Sequence, residues 1–227
     1  MLRQVRKLIF FVIILLISTV SYSQTVFIGG LHYALSYSGN GMEEMAEILT
    51  RNIRVLSDGS NLRIDLIGGM AAINYGYFIV DGKNNDLYVV NDAQKKTWKL
   101  LKNKPIKTYD IPIITDTKVD EKINGLICRK YRTDATIDEV NTTTYLWINR
   151  SLILPTLTPE LNLLIGNLIS LEGVHGTIVK QIILSDGAST SITLDKVDKS
   201  TPDQNLFQLP ANYSLSERDF DSFTNGF

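Results

Sequence analysis

Two histidines and one cysteine are the side chains of this chain best suited to metal binding or nucleophilic catalysis. His32 falls in a predicted strand, His175 in a glycine-flanked turn and Cys128 in an apolar, strand-like run. A structural zinc site needs four nitrogen or sulfur ligands, and neither histidine has a second ligand at helical spacing. A serine hydrolase would need an activated serine, and the chain lacks the Gly-x-Ser-x-Gly sequence. We therefore predict no catalytic residue, no metal site, no cofactor and no enzymatic activity.

The remaining candidates for chemistry have simpler structural interpretations. A single cysteine cannot form an intrachain disulfide, and its apolar surroundings favour a buried, unreactive thiol. The carboxylates of Glu43 and Glu47 share one face of a predicted helix, where a solvated surface explains them. Asp58, Asn61 and Asp65 lack the spacing and the distal glutamate of a calcium loop, and a hairpin turn explains them better.

The first 23 residues have the layout of a secretory signal peptide. Arg3, Arg6 and Lys7 precede an apolar run over residues 8–20, and Ser21-Tyr22-Ser23 provides a small-x-small cleavage site. The alternative is an uncleaved signal anchor, but the apolar run is shorter than the roughly 20 residues that span a bilayer. We expect cleavage after Ser23, no transmembrane span in the mature chain, and a periplasmic or secreted protein of a Gram-negative envelope.

Charge and length limit the organisation of the mature chain. Without the leader, the chain has 20 basic and 24 acidic side chains, which gives a net charge of −4, and the charges are interspersed along it. No basic stripe of the kind that binds a phosphate backbone is present, so nucleic acid is not an expected partner. We expect one domain over residues 24–213, followed by a polar C-terminal tail over residues 214–227.

Short runs rich in β-branched and aromatic residues dominate that domain. They recur at a spacing of about 8–12 residues, which is typical of antiparallel sheets that curl into sandwiches or barrels. Hairpin turns are predicted at residues 57–61, at residues 81–86 and at Asp186-Gly187. Two amphipathic segments, residues 42–52 and 159–171, have helical spacing, and the second begins with Thr158 as cap and Pro159 at the first helical position.

The second helical segment leaves two interpretations open. Leu161, Leu164, Ile165, Leu168 and Ile169 give it a broad apolar face. Tight packing of this face on the sheet would make an ordinary core. Loose packing would leave an apolar cavity for an acyl chain, since ligand pockets are concave and mostly apolar.

Three segments carry a resemblance to known families. The strand Asn61-Leu62-Arg63-Ile64-Asp65, the run from Ile123 to Tyr131 with Gly125 and Cys128, and the closing Phe207-Gln208-Leu209-Pro210-Ala211-Asn212-Tyr213 each match a family pattern. With them the chain resembles periplasmic domain families of unassigned function that are widespread in Bacteroidetes, whose fold is similar to the lipoprotein carriers of the Lol system. Leu126 replaces an expected aromatic residue and Asn212 an expected glycine, although asparagine also tolerates left-handed backbone.

The resemblance implies a fold and a function class but transfers no catalytic residue. It implies an α+β, β-dominated domain: a curved antiparallel sheet, or half-barrel, covered by about two helices. The preferred function is a non-enzymatic, lipid-binding module whose partner is a lipid, an acylated protein or another apolar ligand. The alternative is a structural or protein-interaction domain of the envelope with a fully packed core. The predicted walls of the apolar cavity are Trp98, Trp147, Leu164, Ile165 and Leu168.

Overall fold

Twelve β-strands form most of the part of the chain that the structure describes. This computed structural model describes residues 25–39, 41–42, 45, 47–101, 113–137, 140–157, 169–171 and 173–219, so the predicted leader lies outside it. The strands are β1 Gly29–Gly39, β2 Asn52–Ser57, β3 Leu62–Ile67, β4 Tyr77–Asp81, β5 Asp86–Asn91, β6 Lys96–Leu101, β7 Ile113–Ile123, β8 Leu126–Ile137, β9 Val140–Asn149, β10 Thr177–Ser185, β11 Ala188–Asp198 and β12 Ser214–Asp219.

All twelve strands belong to one sheet with the order β12-β6-β5-β4-β3-β2-β1-β11-β10-β9-β8-β7. Neighbours are antiparallel except β12, which runs parallel to β6. The side-chain amide of Asn124, in the turn between β7 and β8, donates to the carbonyl oxygen of Leu194 in β11. Since β10 and β9 lie between β11 and β8 in the sheet, this bond requires strong curvature. The predicted β-dominated class is confirmed, and the sheet is curved and open between its two edge strands, β7 and β12.

Tight turns set the register of two hairpins on this sheet. Asn124 and Gly125 have φ angles of 48° and 86°, and Asp186 and Gly187 have φ angles of 43° and 75°. Two successive residues with positive φ produce a twist that matches the flanking strands, and asparagine, aspartate and glycine adopt it at the lowest cost. The hairpin predicted at Asp186-Gly187 is confirmed, with Ser185 paired to Ala188.

Helices contribute less to the described chain than the sequence suggests. Its one α-helix, α1, spans Gly69–Tyr75, where none is predicted, and a 3-10 turn spans Gln204–Phe207. In the first predicted helix, residues 47–48 form turns and Asn52 begins β2. Residues 43, 44 and 46 of that segment lie outside the described residues. Leu49 donates to the carbonyl of Met45 as in a helical turn, whereas Ile48 accepts from the backbone of Met70 and Arg51 donates to Ile67. Residues 158–168 of the second lie outside the described residues.

Among the described residues, three hydrophobic clusters pack against the sheet. The largest draws side chains from β1 to β6, from α1, from β8 to β11 and from residues 152–157. Two smaller clusters form around Ile148 and around Ile79. Side chains alternate along each strand, so in β9 Leu146 and Ile148 join one small cluster while Trp147 joins the large one.

The predicted polar tail begins as a strand. Residues 214–219 form β12, and each pairs with a residue of β6, from Ser214 with Lys96 to Asp219 with Leu101. All six side chains are exposed, so backbone hydrogen bonds rather than buried apolar area hold this strand. Polar composition gave no indication of this pairing because backbone bonds need no apolar side chain. Within the described ranges, no helix has the length and hydropathy needed to cross a bilayer.

Candidate functional site

An apolar pocket of about 420 Å³ lies between two irregular segments that flank residues 158–168. Residues 153–157 form one wall, and residues 169–171 and 173–177 form the other. The volume is in the range of about 300–1,000 Å³ that ligand sites occupy. The described lining consists mainly of Ile153, Leu154, Pro155, Leu157, Ile169, Leu171 and Val174.

The first wall is fixed to the end of the sheet by buried side-chain hydrogen bonds. Asn149, the last residue of β9, accepts from the backbone of Ser151 at 3.1 Å and of Leu152 at 2.8 Å. Its amide nitrogen donates to the carbonyl of Ile127 at 2.8 Å. The hydroxyl of Thr177 donates to the carbonyl of Leu152 at 2.6 Å. These bonds satisfy the backbone N–H and C=O groups where the chain leaves β9. They therefore fix the position of the apolar residues that follow.

The second wall is a short bridged turn that leads into β10. The backbone of Val174 donates to the carbonyl of Leu171 at 3.0 Å, and the backbone of Ile178 donates to that of Ile169 at 3.0 Å. Gly176 has a φ of 121°, and a Cβ there would overlap the carbonyl oxygen of Asn149. The close approach of residues 149 and 176 therefore sets the distance between this wall and the sheet.

The pocket offers hydrophobic contact from most of its described lining. The polar side chains of that lining are Thr156, Ser170, His175 and Thr177, and Thr177 donates its hydroxyl proton to Leu152. His175 is the one titratable side chain of the described lining. Apolar contact is therefore the main interaction that this lining can offer a bound group.

The predicted wall residues are divided between the large cluster and the part of the chain outside the description. Trp98, on β6, packs half-buried against the large cluster, and the Arg218 guanidinium lies 5.4 Å from its ring centroid. Trp147 is 4% exposed in the same cluster. Leu164, Ile165 and Leu168 lie outside the described residues. The pocket-lining residues 153–157 were missed, although the run from Leu152 to Leu157, with three leucines, an isoleucine and a proline, is a detectable apolar segment.

Cys128 is fully buried on β8 and forms part of the large cluster. Burial raises the pKa of its thiol to about 11 from 9.0, while a backbone hydrogen bond from Ile123 opposes that shift. Because the thiolate is the nucleophile, a raised pKa makes the thiol inert. The predicted interpretation of Cys128 as a buried hydrophobe agrees with this position.

Alkylation of Cys128 is expected to be slow in the folded protein. At pH 8 a thiol with a pKa near 11 holds about a hundredfold less thiolate than one with a pKa near 9. Iodoacetamide labelling at pH 8, followed by intact-mass spectrometry, should therefore proceed at least a hundredfold faster in concentrated urea than in buffer. Equal labelling rates in the two solutions would contradict the burial of this thiol.

The residues that carry the family resemblance hold the fold together. Asp65, 7% exposed, lies between Arg54 at 2.8 Å and Arg63 at 2.7 Å. The Arg63 guanidinium also lies 3.7 Å from the ring centroid of Tyr77 and donates to the carbonyl of Leu206 at 3.2 Å. The hydroxyl of Tyr213, in the closing motif, donates to Asp92 at 2.9 Å. These motifs therefore fasten the segment around residues 204–213 to the sheet.

The chain is therefore a β-dominated domain built on one curved, open sheet, with an apolar pocket beside the end of β9. The chain belongs to the family described as Domain of unknown function (DUF4412), whose model matches residues 41–213. A comparison with curated proteins gives no match.

The chain is similar to several solved structures at low sequence identity. A structure of PNGF-II is 16% identical with a TM-score of 0.48, and the match covers 87% of this chain and 32% of that one. This chain therefore spans about a third of the length of PNGF-II. LprF from Mycobacterium bovis is 15% identical with a TM-score of 0.34, covering 82% of this chain and 90% of that one. The Mycobacterium tuberculosis lipoprotein LppX is 11% identical with a TM-score of 0.36, covering 77% and 89%. TM-scores below 0.5 give no basis for assigning a function.

Proposed function

We propose that this domain is a non-enzymatic binding module that holds the apolar part of a lipid, an acylated protein or a similar ligand. The observation that carries the proposal is the pocket of about 420 Å³ lined by leucine, isoleucine, valine and proline side chains. Each methylene group that leaves water for such a site contributes about 0.8 kcal/mol. A chain of several methylene groups would therefore bind without any specific polar contact.

The walls of the pocket supply an apolar surface at the end of the sheet. Except for Thr177, which begins β10, the described wall residues lie outside the strands, and hydrogen bonds of Asn149 and Thr177 hold the first wall to the sheet. Residues 158–168 connect the two walls, and the predicted wall side chains Leu164, Ile165 and Leu168 belong to this connection. We include these three, with Trp98 and Trp147, in the proposed binding region. The proposed location, the periplasm or the cell exterior, depends on the predicted leader.

Substitution of Val174 tests the binding proposal. Val174 lines the pocket and is partly buried, so Val174→Asp introduces a carboxylate into the site at a position that tolerates some solvent. We expect the affinity for the neutral probe Nile red, measured by fluorescence titration, to fall at least tenfold. Such a loss corresponds to about 1.4 kcal/mol, less than the desolvation cost of a charge.

Val119→Asp is the matched control. Val119 lies on β7, is 45% exposed and is absent from the described pocket lining, so this variant should bind the probe like the wild type. Native mass spectrometry of the purified wild type should show bound lipid. Absence of both lipid and probe binding in the wild type, or equal binding by the two variants, would refute the proposal.

A structural or protein-interaction role is the second candidate, and one exposed surface favours it. Met45, Ile48, Ile67, Met70 and Ile73 are each 43–63% exposed. Backbone hydrogen bonds bring their segments together, from Met70 to Ile48 and from Ile48 to Met45. Apolar groups of this kind mark contact sites on many soluble proteins. Loss of an envelope partner from the Ile73→Asp variant, with probe binding intact, would support this role.

A further inference from the structure

Two lysines flank a buried tryptophan in register across three strands. Lys130 of β8 is opposite Trp147 of β9, and Trp147 is opposite Lys180 of β10. Directly opposed residues of an antiparallel sheet project from the same face, so the three side chains form a row. The Nζ atoms of Lys130 and Lys180 lie 4.8 Å and 4.9 Å from the Trp147 ring. Lys130, Trp147 and Lys180 are called the basic–aromatic row below.

The polar groups of this row have few acceptors. Lys180 has no carboxylate within 4.0 Å among the described residues, and Lys130 has only Glu121, at 3.7 Å with both side chains partly exposed. The Trp147 side chain is 4% exposed, and its Nε1 has no hydrogen-bond acceptor in the described part of the chain. A buried donor without an acceptor is unfavourable, because it has lost its hydrogen bond to water. The row therefore combines two cations with one donor that lacks an acceptor.

The same face continues toward open space at the far end of the strands. The next row places Arg132 opposite Tyr145, and Tyr145 opposite Ile182. Arg132 and Tyr145 line an open pocket of about 450 Å³. On this face Glu121 lies 3.7 Å from Lys130, and Arg132 binds Asp134 at 2.8 Å. Tyr145, two residues from Trp147 on β9, therefore lies between the row and this pocket, whose described lining contains one carboxylate, that of Asp186.

We infer that the basic–aromatic row binds an anionic oxygen group, a phosphate or a carboxylate. Such a group accepts charge-assisted hydrogen bonds from lysine ammonium groups, and these are stronger than hydrogen bonds between neutral groups. It would also give Trp147 Nε1 the acceptor that it lacks. The electron-rich faces of the Trp147 ring also attract cations. The ring therefore keeps both ammonium groups close to the position of the anion.

The inference extends the proposed function to an anionic amphiphile. Trp147 belongs to the same hydrophobic cluster as Leu154, Leu157 and Ile169, which line the 420 Å³ pocket. A ligand with an apolar tail and an anionic head would match both features. The tail part rests on the proposed function, whereas anion recognition by the row can be measured separately.

Calorimetry with three probes of defined chemistry tests the inference. The probes are octyl phosphate, 1-octanol and inorganic phosphate, each titrated into the complete mature protein. We expect octyl phosphate to bind about tenfold more tightly than 1-octanol, because a hydrogen bond to a charged group adds at least that factor. Lys180→Gln should lower the affinity for octyl phosphate about tenfold and leave that for 1-octanol unchanged. Added salt should weaken only the octyl phosphate complex.

Lys122→Gln provides the matched control. Lys122 lies exposed on β7, outside the described ion pairs and cation–π contacts, and its substitution removes the same charge. Equal effects of Lys122→Gln and Lys180→Gln, or equal affinities of the wild type for octyl phosphate and 1-octanol, would overturn the inference. A further outcome is that the wild type binds inorganic phosphate and loses that binding in Lys180→Gln, while neither octyl compound binds. That result would support the anion site and refute only the proposed function. No binding of any probe would refute both.

Discussion

The Asp65→Ala variant is expected to lose about 3–5 kcal/mol of its free energy of unfolding, the loss measured when one partner of a buried ion pair is removed. Asp65 is 7% exposed and accepts from Arg54 at 2.8 Å and from Arg63 at 2.7 Å. Without it, two guanidinium groups on neighbouring strands face each other with no counter-charge. Since a domain of this kind is stable by only about 5–15 kcal/mol, the variant should lose a large share of its stability.

Urea unfolding followed by circular dichroism measures this loss. Asp134→Ala is the control, because Asp134 also binds an arginine at 2.8 Å, with both side chains about half exposed. Surface ion pairs contribute little, so this variant should unfold near the wild-type midpoint. If both variants shifted the midpoint by the same amount, the buried position of Asp65 would not be the cause.

The free energy of unfolding of the Gly176→Ala variant is expected to be about 3 kcal/mol lower than that of the wild type, because the substitution combines a strained backbone with a steric overlap. Gly176 has a φ of 121°, which side chains rarely adopt. An added Cβ would overlap the carbonyl oxygen of Asn149 and lie 2.9 Å from Cγ2 of Ile148. Both of these residues belong to β9, so the overlap can be relieved only if the second pocket wall moves away from the sheet.

Gly173→Ala separates the two contributions. Gly173 lies in the same wall with a φ of 75°, but an added Cβ would meet no atom within 4 Å. Only the backbone strain remains in Gly173→Ala, so we expect its free energy of unfolding to fall by about 1 kcal/mol in the same urea experiment. Nile red binding should weaken in Gly176→Ala more than in Gly173→Ala, since only the former displaces the wall. Equal losses of stability in Gly176→Ala and Gly173→Ala would show that the steric overlap between residues 149 and 176 does not affect stability.

The basic–aromatic row was the feature least accessible from the sequence. Lys130, Trp147 and Lys180 are separated by 17 and 33 residues along the chain, and nothing in their local patterns connects them. Pairing of β8 with β9 and of β9 with β10 brings them opposite one another. The sequence predicts Trp147 only as a wall residue of an apolar cavity. Its cationic neighbours and its Nε1 without an acceptor emerge only when register is known.

The helices show where local pattern misleads. Residues 42–52 have helical periodicity, yet Ile48 and Arg51 bond to Met70 and Ile67, which lie in or beside α1 and β3. Conversely, α1 is a seven-residue helix that follows two glycines with positive φ. Neither outcome can be read from amphipathic spacing, because partners distant in sequence supply the hydrogen bonds that decide it.

The sequence by itself determined the β-dominated class, the hairpin at Asp186-Gly187 and the burial of Cys128. Each of these depends on side-chain alternation or turn chemistry within a few residues, and such local patterns can be read directly from the sequence. The tertiary structure alone decided the sheet order, the parallel pairing of β12 with β6, the two walls of the apolar pocket and the alignment of Lys130, Trp147 and Lys180. These depend on which distant backbones pair and in what register, and that choice is made by the free energy of the whole fold.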